Sequence, residues 1–223
     1  MAFVFWYMFC LPNPLFADPY STVLFDKNGL ILSSRISKDG QWRFPENKDV
    51  PNKFKEALIE FEDKTFYQHP GVSARGIGRA LLQNTRNMSV KSGGSTLTMQ
   101  LARMARKGKS RGIWDKIVES LMATRIELSY SKKEIISMYA AHAPFGGNVV
   151  GLEAASWRYF GRSADKLSWA ESATLAVLPN APSLIFPGKN AERLRNKRNR
   201  LLKSLNKNGK INKEELELAL TEP

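Results

Sequence analysis

From Asn52 onward, apolar residues recur at helical spacing in many short segments that glycine, proline or polar runs cut apart. This pattern predicts a helix that starts at Asn52 and stops near Lys64, ahead of Pro70 and Gly71. Further helices are predicted over 75–84, 96–107, 112–129, 132–142, 151–160, 168–178, 190–206 and 212–220. In the segment after Gly112, Trp114, Ile117, Val118, Leu121, Met122 and Leu128 give a wide apolar face. Residues 84–94 are polar and read as a loop. Only residues 20–45 have β character. Thr22-Val23-Leu24-Phe25 and Leu30-Ile31-Leu32 flank an Asn28-Gly29 turn, and Trp42-Arg43-Phe44 can add a third short strand. The expectation is a mostly α single domain with a small N-terminal β element, and 223 residues suffice for one sizeable core.

Charge narrows the function classes. Lys and Arg outnumber Asp and Glu by 34 to 21, giving a formal charge of +13. Such a surface calls for an anionic partner: nucleic acid, acidic lipid headgroups or a phosphorylated substrate. The single cysteine, Cys10, excludes an internal disulfide, and with only two histidines a Cys/His zinc site is not expected. Residues 1–11 are apolar and uncharged, but a bilayer span needs about 20 residues. They read either as a buried N-terminal strand or as the tail of a membrane anchor.

Two stretches carry candidate chemistry. In Glu60-Phe61-Glu62-Asp63-Lys64-Thr65-Phe66-Tyr67-Gln68-His69-Pro70-Gly71, adjacent carboxylates close a helix between Phe61 and Phe66. A carboxylate so placed can be partly desolvated and act as a general base, although a solvated helix end is the plainer alternative. Ser92-Gly93-Gly94-Ser95-Thr96-Leu97-Thr98-Met99-Gln100-Leu101-Ala102-Arg103 runs from a glycine-rich loop into a helix. Ser95 can cap that helix and present N–H groups to a phosphate. Thr96, Gln100 and Arg103 fall on one face at i, i+4 and i+7. A basic run continues through Arg106, Lys107, Lys109, Arg111 and Lys116, and a second lies between Lys189 and Lys213; the second reads mostly as a solvated face.

The order E-D-x-x-F-x-x-H-x-G, then G-x-S-T-x-T-x-Q-x-x-R, resembles the peptidoglycan glycosyltransferases (family 51), the polymerising domains of class A penicillin-binding proteins. Pro12-Asn13-Pro14-Leu15-Phe16 and Gln41-Trp42-Arg43-Phe44-Pro45 look like the 1C type. The resemblance implies a lysozyme-like fold, with residues 1–19 as a partial membrane anchor, 20–50 as the β element and 51–223 as the glycosyltransferase domain. It implies polymerisation of lipid II into glycan with release of undecaprenyl pyrophosphate, at the periplasmic face of the bacterial inner membrane. Glu62 then matches the catalytic base, and Asp63 would orient it and raise its pKa by like-charge repulsion. Glu119 matches the second catalytic carboxylate, beside Lys116. Arg103 matches a cation on the donor pyrophosphate. Phe66, His69, Ser95, Thr96 and Gln100 join Asp63, Arg103 and Lys116 as substrate-binding positions. Where the family has Arg-Lys, this chain has Asp115-Lys116, one pyrophosphate contact fewer. Ser131-Lys132-Lys133-Glu134-Ile135-Ile136-Ser137-Met138-Tyr139 resembles a further motif, with Ser137 and Ala141 replacing its Glu and Asn.

No cofactor is implied, no metal site is assigned, and a divalent cation (Mg or Mn) is left open as an aid to the pyrophosphate. The expected partners are lipid II, nascent glycan, an anionic membrane surface and cell-wall synthesis proteins, with no nucleic acid. S-x-x-K occurs at Ser129, Ser163 and Ser204 without a K-T-G box, so no transpeptidase domain is expected. The competing expectations are an inactive remnant or basic membrane-surface binding module, and, further off, a lysozyme-like hydrolase.

Overall fold

The structure, a computed structural model, describes residues 1–46, 49–74, 76, 78, 94–107, 112–180 and 190–222, with Ala2 and Phe3 described by their backbone alone. It is mostly helical with small strands, as expected. The chain divides into two compact units: residues 1–17 with 62–136, and residues 18–61 with 137–223. Most of the helix expected over 75–84, most of the loop expected over 84–94, and Lys109 and Arg111 of the first basic run lie outside the described residues.

The second of these units contains all the strands. β1 (Thr22–Phe25) and β2 (Ile31–Arg35) pair antiparallel. The Asp26 carboxylate accepts from the N–H groups of Asn28 and Leu30, both at 2.8 Å, and Gly29 takes a positive φ of 80° to complete the turn. The third expected strand, β3 (Trp42–Arg43), does not join that hairpin. It pairs parallel with β5 (Val149–Val150), which pairs antiparallel with β4 (Pro144–Gly146). The stretch Pro144-Phe145-Gly146-Gly147-Asn148, a helix-breaking turn by its glycines and proline, also carries a strand and so builds a small hairpin. Helix α2 (Asn52–Glu62) buries Phe54, Ala57 and Leu58, and the Phe54 and Phe145 rings meet at 6.2 Å.

The first unit positions the candidate site. Its described helices include α1 (Ala2–Phe9), α3 (Leu97–Ala105), α4 (Ile113–Ser129) and the start of α5 (Lys132–His142). Residues 1–11 therefore hold a helix, not a strand, because an all-apolar run carries no periodicity by which to tell the two apart. Among the described residues no helix is long and apolar enough to cross a membrane. α1 lies on α4, with Tyr7 and Thr124 hydroxyls 3.0 Å apart. The wide apolar face of α4 does not all turn inward. Glu119, Met122, Ala123 and Ile126 are buried, whereas Trp114 and Leu128 are 79% and 73% exposed. α3 and α4 pack along each other, and the buried residues of α3 include Leu97, Met99, Leu101 and Ala102.

In the second unit four more helices complete the core: α6 (Leu152–Phe160), α7 (Trp169–Val177), α8 (Ala191–Lys207) and α9 (Lys213–Thr221). Ser168 with Glu171, and Asn212 with Glu215, form capping boxes that start α7 and α9. α8 buries Leu194, Leu201, Leu202 and Leu205 and leaves Arg193, Arg195, Arg200, Lys203 and Lys207 exposed, as expected of a solvated basic face.

Candidate active site

All ten candidate residues lie in the unit formed by residues 1–17 and 62–136. Helix α3 organises them. Its N-cap is Thr96, whose hydroxyl accepts from Met99 N–H at 3.1 Å and donates to the Gly71 carbonyl. Ser95, expected to be the cap, lies one residue too early. Its hydroxyl instead receives the Lys116 ammonium. One helical turn in, the Gln100 side-chain amide donates to Glu62 Oε2 at 2.8 Å. Three residues further, Arg103 donates to both oxygens of Glu119, Nε to Oε1 at 2.7 Å and Nη2 to Oε2 at 3.0 Å. Residues at i and i+3 share a helix face and stand about 4.5 Å apart along the axis. Two carboxylates from distant parts of the chain are therefore tied to neighbouring positions on one helix face.

Their surroundings differ. Glu62 is held by a neutral amide, and its Oε1 is shielded from solvent. Glu119 is 2% exposed, and besides Arg103 it has the Lys116 ammonium 3.8 Å from Oε2. The bond to Glu119 raises the Arg103 pKa above its ordinary value, against the opposing effect of burial. Burial pushes Lys116 below the usual lysine value. The charge of Arg103 also lowers it, while Glu119 opposes the shift. Glu119 and Lys116 thus do not form a solvated surface pair: the carboxylate is buried and its nearer partner is Arg103.

The turn that follows Glu62 is anchored from inside. Asp63 is buried. Both of its oxygens lie near His69 Nε2, at 3.0 and 3.1 Å, and Oδ2 also accepts from Leu97 N–H at 3.1 Å. Phe66 opens a 3₁₀ turn (Phe66–Gln68) and is fully buried. Gly71 has φ +90°, and a Cβ there would stand 2.7 Å from the backbone of Ala123 on α4. No other residue fits that approach. Of the residues expected to touch substrate, Asp63, Phe66 and Thr96 are buried and the His69 ring is 7% exposed; Asp63, His69 and Thr96 bond to one another or to backbone and hold the turn.

Three features escape a reading of the sequence. Lys132 donates to the His69 carbonyl and to Glu127 Oε1, both at 2.8 Å, and lies 4.2 Å from the centre of the Phe66 ring. Thr98 donates to the same Glu127 oxygen at 2.6 Å. Asp115 accepts from Gly112 N–H at 3.2 Å at the start of α4 and pairs with Arg106 at 3.4 Å. The motif around Lys132 is the one available signal for the first two. Among the described residues no group of three or more His, Cys, Asp or Glu is placed to hold a metal ion.

Comparison with known proteins follows the same residues. The family model Transglycosylase matches residues 29–206. Penicillin-binding protein 1C of Escherichia coli (strain K12) is 39% identical over 219 residues, covering 95% of this chain and 28% of that protein. Penicillin-binding protein 1F of Bacillus subtilis (strain 168) is 34% identical over 200 residues, 87% of this chain and 27% of that one. The chain thus spans less than a third of the length of these relatives. A crystal structure of penicillin-binding protein 1A from Haemophilus influenzae superposes with a TM-score of 0.51 over 93% of this chain and 21% of that one, at 21% identity, a likeness of fold.

Proposed function

The chain belongs to the transglycosylase family, and on that premise we propose that it polymerises lipid II into glycan strands and releases undecaprenyl pyrophosphate. One observation carries the reading: Gln100 and Arg103, one turn apart on α3, each hold a carboxylate, Glu62 through an amide and Glu119 through a guanidinium with a second cation nearby. A sugar hydroxyl is a poor nucleophile at neutral pH and needs a positioned base. Glu62 takes the proton of the acceptor 4-hydroxyl as that oxygen bonds to the anomeric carbon of the donor. The bond from that carbon to the pyrophosphate oxygen breaks on the opposite face, and its electron pair leaves with the pyrophosphate. A single displacement inverts the anomeric centre.

Pyrophosphate is a good leaving group and needs its growing charge met more than it needs a proton. Arg103 and Lys116 are about a third and two-fifths exposed, so both can reach a ligand while Glu119 fixes them from the buried side. No step is routed through a divalent ion. A lysozyme-like hydrolase would need a carboxylic acid to protonate the leaving sugar. Glu119 instead faces the cations Arg103 and Lys116. We assign no peptide cross-linking to these residues.

The substrate is membrane-borne, which agrees with the exposed Phe5, Met8 and Phe9 of α1 and Ile113 and Trp114 of α4 beside a surface of high positive charge. We place the activity at the periplasmic face of the bacterial inner membrane. Vesicles rich in anionic lipid should carry the chain upward in flotation at low salt, and neutral vesicles should carry less; equal recovery from both would remove the electrostatic part of this reading. The central test is incubation of the chain with labelled lipid II in detergent. Polymer that lysozyme digests is expected, and its absence overturns the proposal.

A further inference from the structure

We propose that Glu127 and Lys132 are positioning residues for the base Glu62, acting through the carbonyl of His69. The inference rests on the glycosyltransferase reading and adds two residues to it. Lys132, at the first turn of α5, donates to Glu127 on α4 and to the His69 carbonyl, and packs its ammonium over the Phe66 ring. Glu127 is 7% exposed, and the oxygen that binds Lys132 also accepts from Thr98 on α3. One ion pair thus joins three helices to the turn that follows Glu62.

The path from that pair to the base is short. With its carbonyl held, His69 gives Nε2–H to Asp63, and Asp63 also accepts from Leu97 N–H at the start of α3. The residue before Asp63 is Glu62, and α3 carries its partner Gln100. The pair therefore fixes the turn relative to the helix against which the base is aimed. A displacement of about 1 Å at a reacting group can cost on the order of 100-fold in rate.

The pair also contributes to stability, since removing one partner leaves the other charge buried and uncompensated. The variants must separate the two roles. Lys132→Met cuts the hold on His69 and strands Glu127. The double change Lys132→Met with Glu127→Leu cuts the same hold but removes both charges, which restores stability when such a pair gives way to apolar side chains. Lys132→Arg keeps a cation that can reach both acceptors.

With labelled lipid II in detergent, both Lys132→Met and the double variant should lower kcat by about 10- to 100-fold while KM changes by less than about twofold. Lys132→Arg should recover most of the rate. A melting temperature restored in the double variant, with kcat still low, marks positioning. A double variant with wild-type kcat, or a loss of KM and kcat in step with lost stability, would overturn the proposal.

A second readout does not depend on activity. The chain has two histidines, so their ring signals in nitrogen-15 spectra can be told apart by one His142→Gln control. The Nε2–H signal of His69, hydrogen-bonded to Asp63 in the wild type, should broaden or vanish in both Lys132→Met variants. An unchanged signal would refute the positioning path even if the wild type proved inert with lipid II. An inert wild type would count against the function reading alone.

Discussion

Glu62 and Glu119 are both held by α3, yet the two carboxylates are held by different chemistry. At Glu62 a side-chain amide donates to one oxygen, and the turn beyond it is anchored through Asp63, His69 and Gly71. At Glu119 the rigidity comes from charge: a bidentate guanidinium and a nearby ammonium on a buried anion. An amide donor adds no positive charge to the carboxylate it holds. Two cationic partners make it a fixed counter-charge and leave the cations oriented. The same residue type is thus prepared for two tasks by what faces it, one turn apart on a single helix.

The comparison breaks most directly at Glu62. Glu62→Gln keeps the shape and a hydrogen bond to Gln100 but cannot accept the acceptor proton. Polymerisation should fall by about 10²–10⁴-fold, the usual worth of a general base. Binding of a pyrophosphate-bearing lipid analogue, measured at equilibrium, should stay within a few-fold of wild type. A Glu62→Gln chain that still polymerises would end the assignment.

At the other end, turnover and binding should fail together. Arg103→Ala removes the guanidinium that Glu119 orients, and turnover should drop by about 10²-fold, as for loss of one donor to a developing charge. Affinity for the same lipid analogue should fall in parallel. Arg103→Lys keeps the charge without the fork and should recover part of both. If Arg103→Ala reduced only the rate and left affinity intact, the contrast between the two ends would be lost.

How far this contrast could be read beforehand depends on the range of the interactions. Local signals served well. The helices expected over 112–129 and 132–142 are found at Ile113–Ser129 and Lys132–His142, and the Asn-Gly turn makes its hairpin. The i, i+4, i+7 face of Thr96, Gln100 and Arg103 is real, but spacing alone cannot say that each residue reaches a different partner: Gly71, Glu62 and Glu119. Lys132 meets His69 across 63 positions of sequence, a contact that no local pattern encodes. The N-terminal helix was ambiguous because its residues are apolar on every side. Trp114 and Leu128 misled for the converse reason: apolarity marks what water rejects, and a solvent-exposed strip on α4 rejects water as a core does.

Lys116 sharpens the charged end through pH. Burial lowers its pKa, so the ammonium loses its proton as pH rises sooner than an ordinary lysine would. Affinity for the pyrophosphate analogue should therefore decline on the alkaline side, below the range where exposed lysines titrate, by about tenfold for one charged hydrogen bond. Lys116→Arg stays charged and should abolish that decline. A wild-type profile that is flat through that range, or an identical decline in Lys116→Arg, would remove Lys116 from the donor site.

The smallest effect is expected at Asp115, where the family resemblance leads one to look for an arginine. The aspartate accepts from the Gly112 N–H at the start of α4 and pairs with Arg106 at 3.4 Å. Both are partly exposed, and an ion pair of that kind contributes about 0–1 kcal/mol. Its negative charge opposes the cations that would meet a pyrophosphate and occupies Arg106. Asp115→Asn keeps an oxygen for Gly112 and drops the charge, so stability should stay within about 0.5 kcal/mol while analogue affinity rises about twofold. Asp115→Arg gives up the cap as well and should cost about 1 kcal/mol in thermal unfolding, yet raise affinity somewhat further. Because these charges act through solvent over a Debye length of about 8 Å at physiological salt, both gains should shrink as salt is raised. The order Arg above Asn above Asp in affinity, with stability ordered the other way, would show that this chain keeps a helix start at the expense of donor binding. Equal affinity in all three would place Asp115 outside the reach of the substrate and leave Arg103, Lys116 and Glu119 as the whole of the charged end.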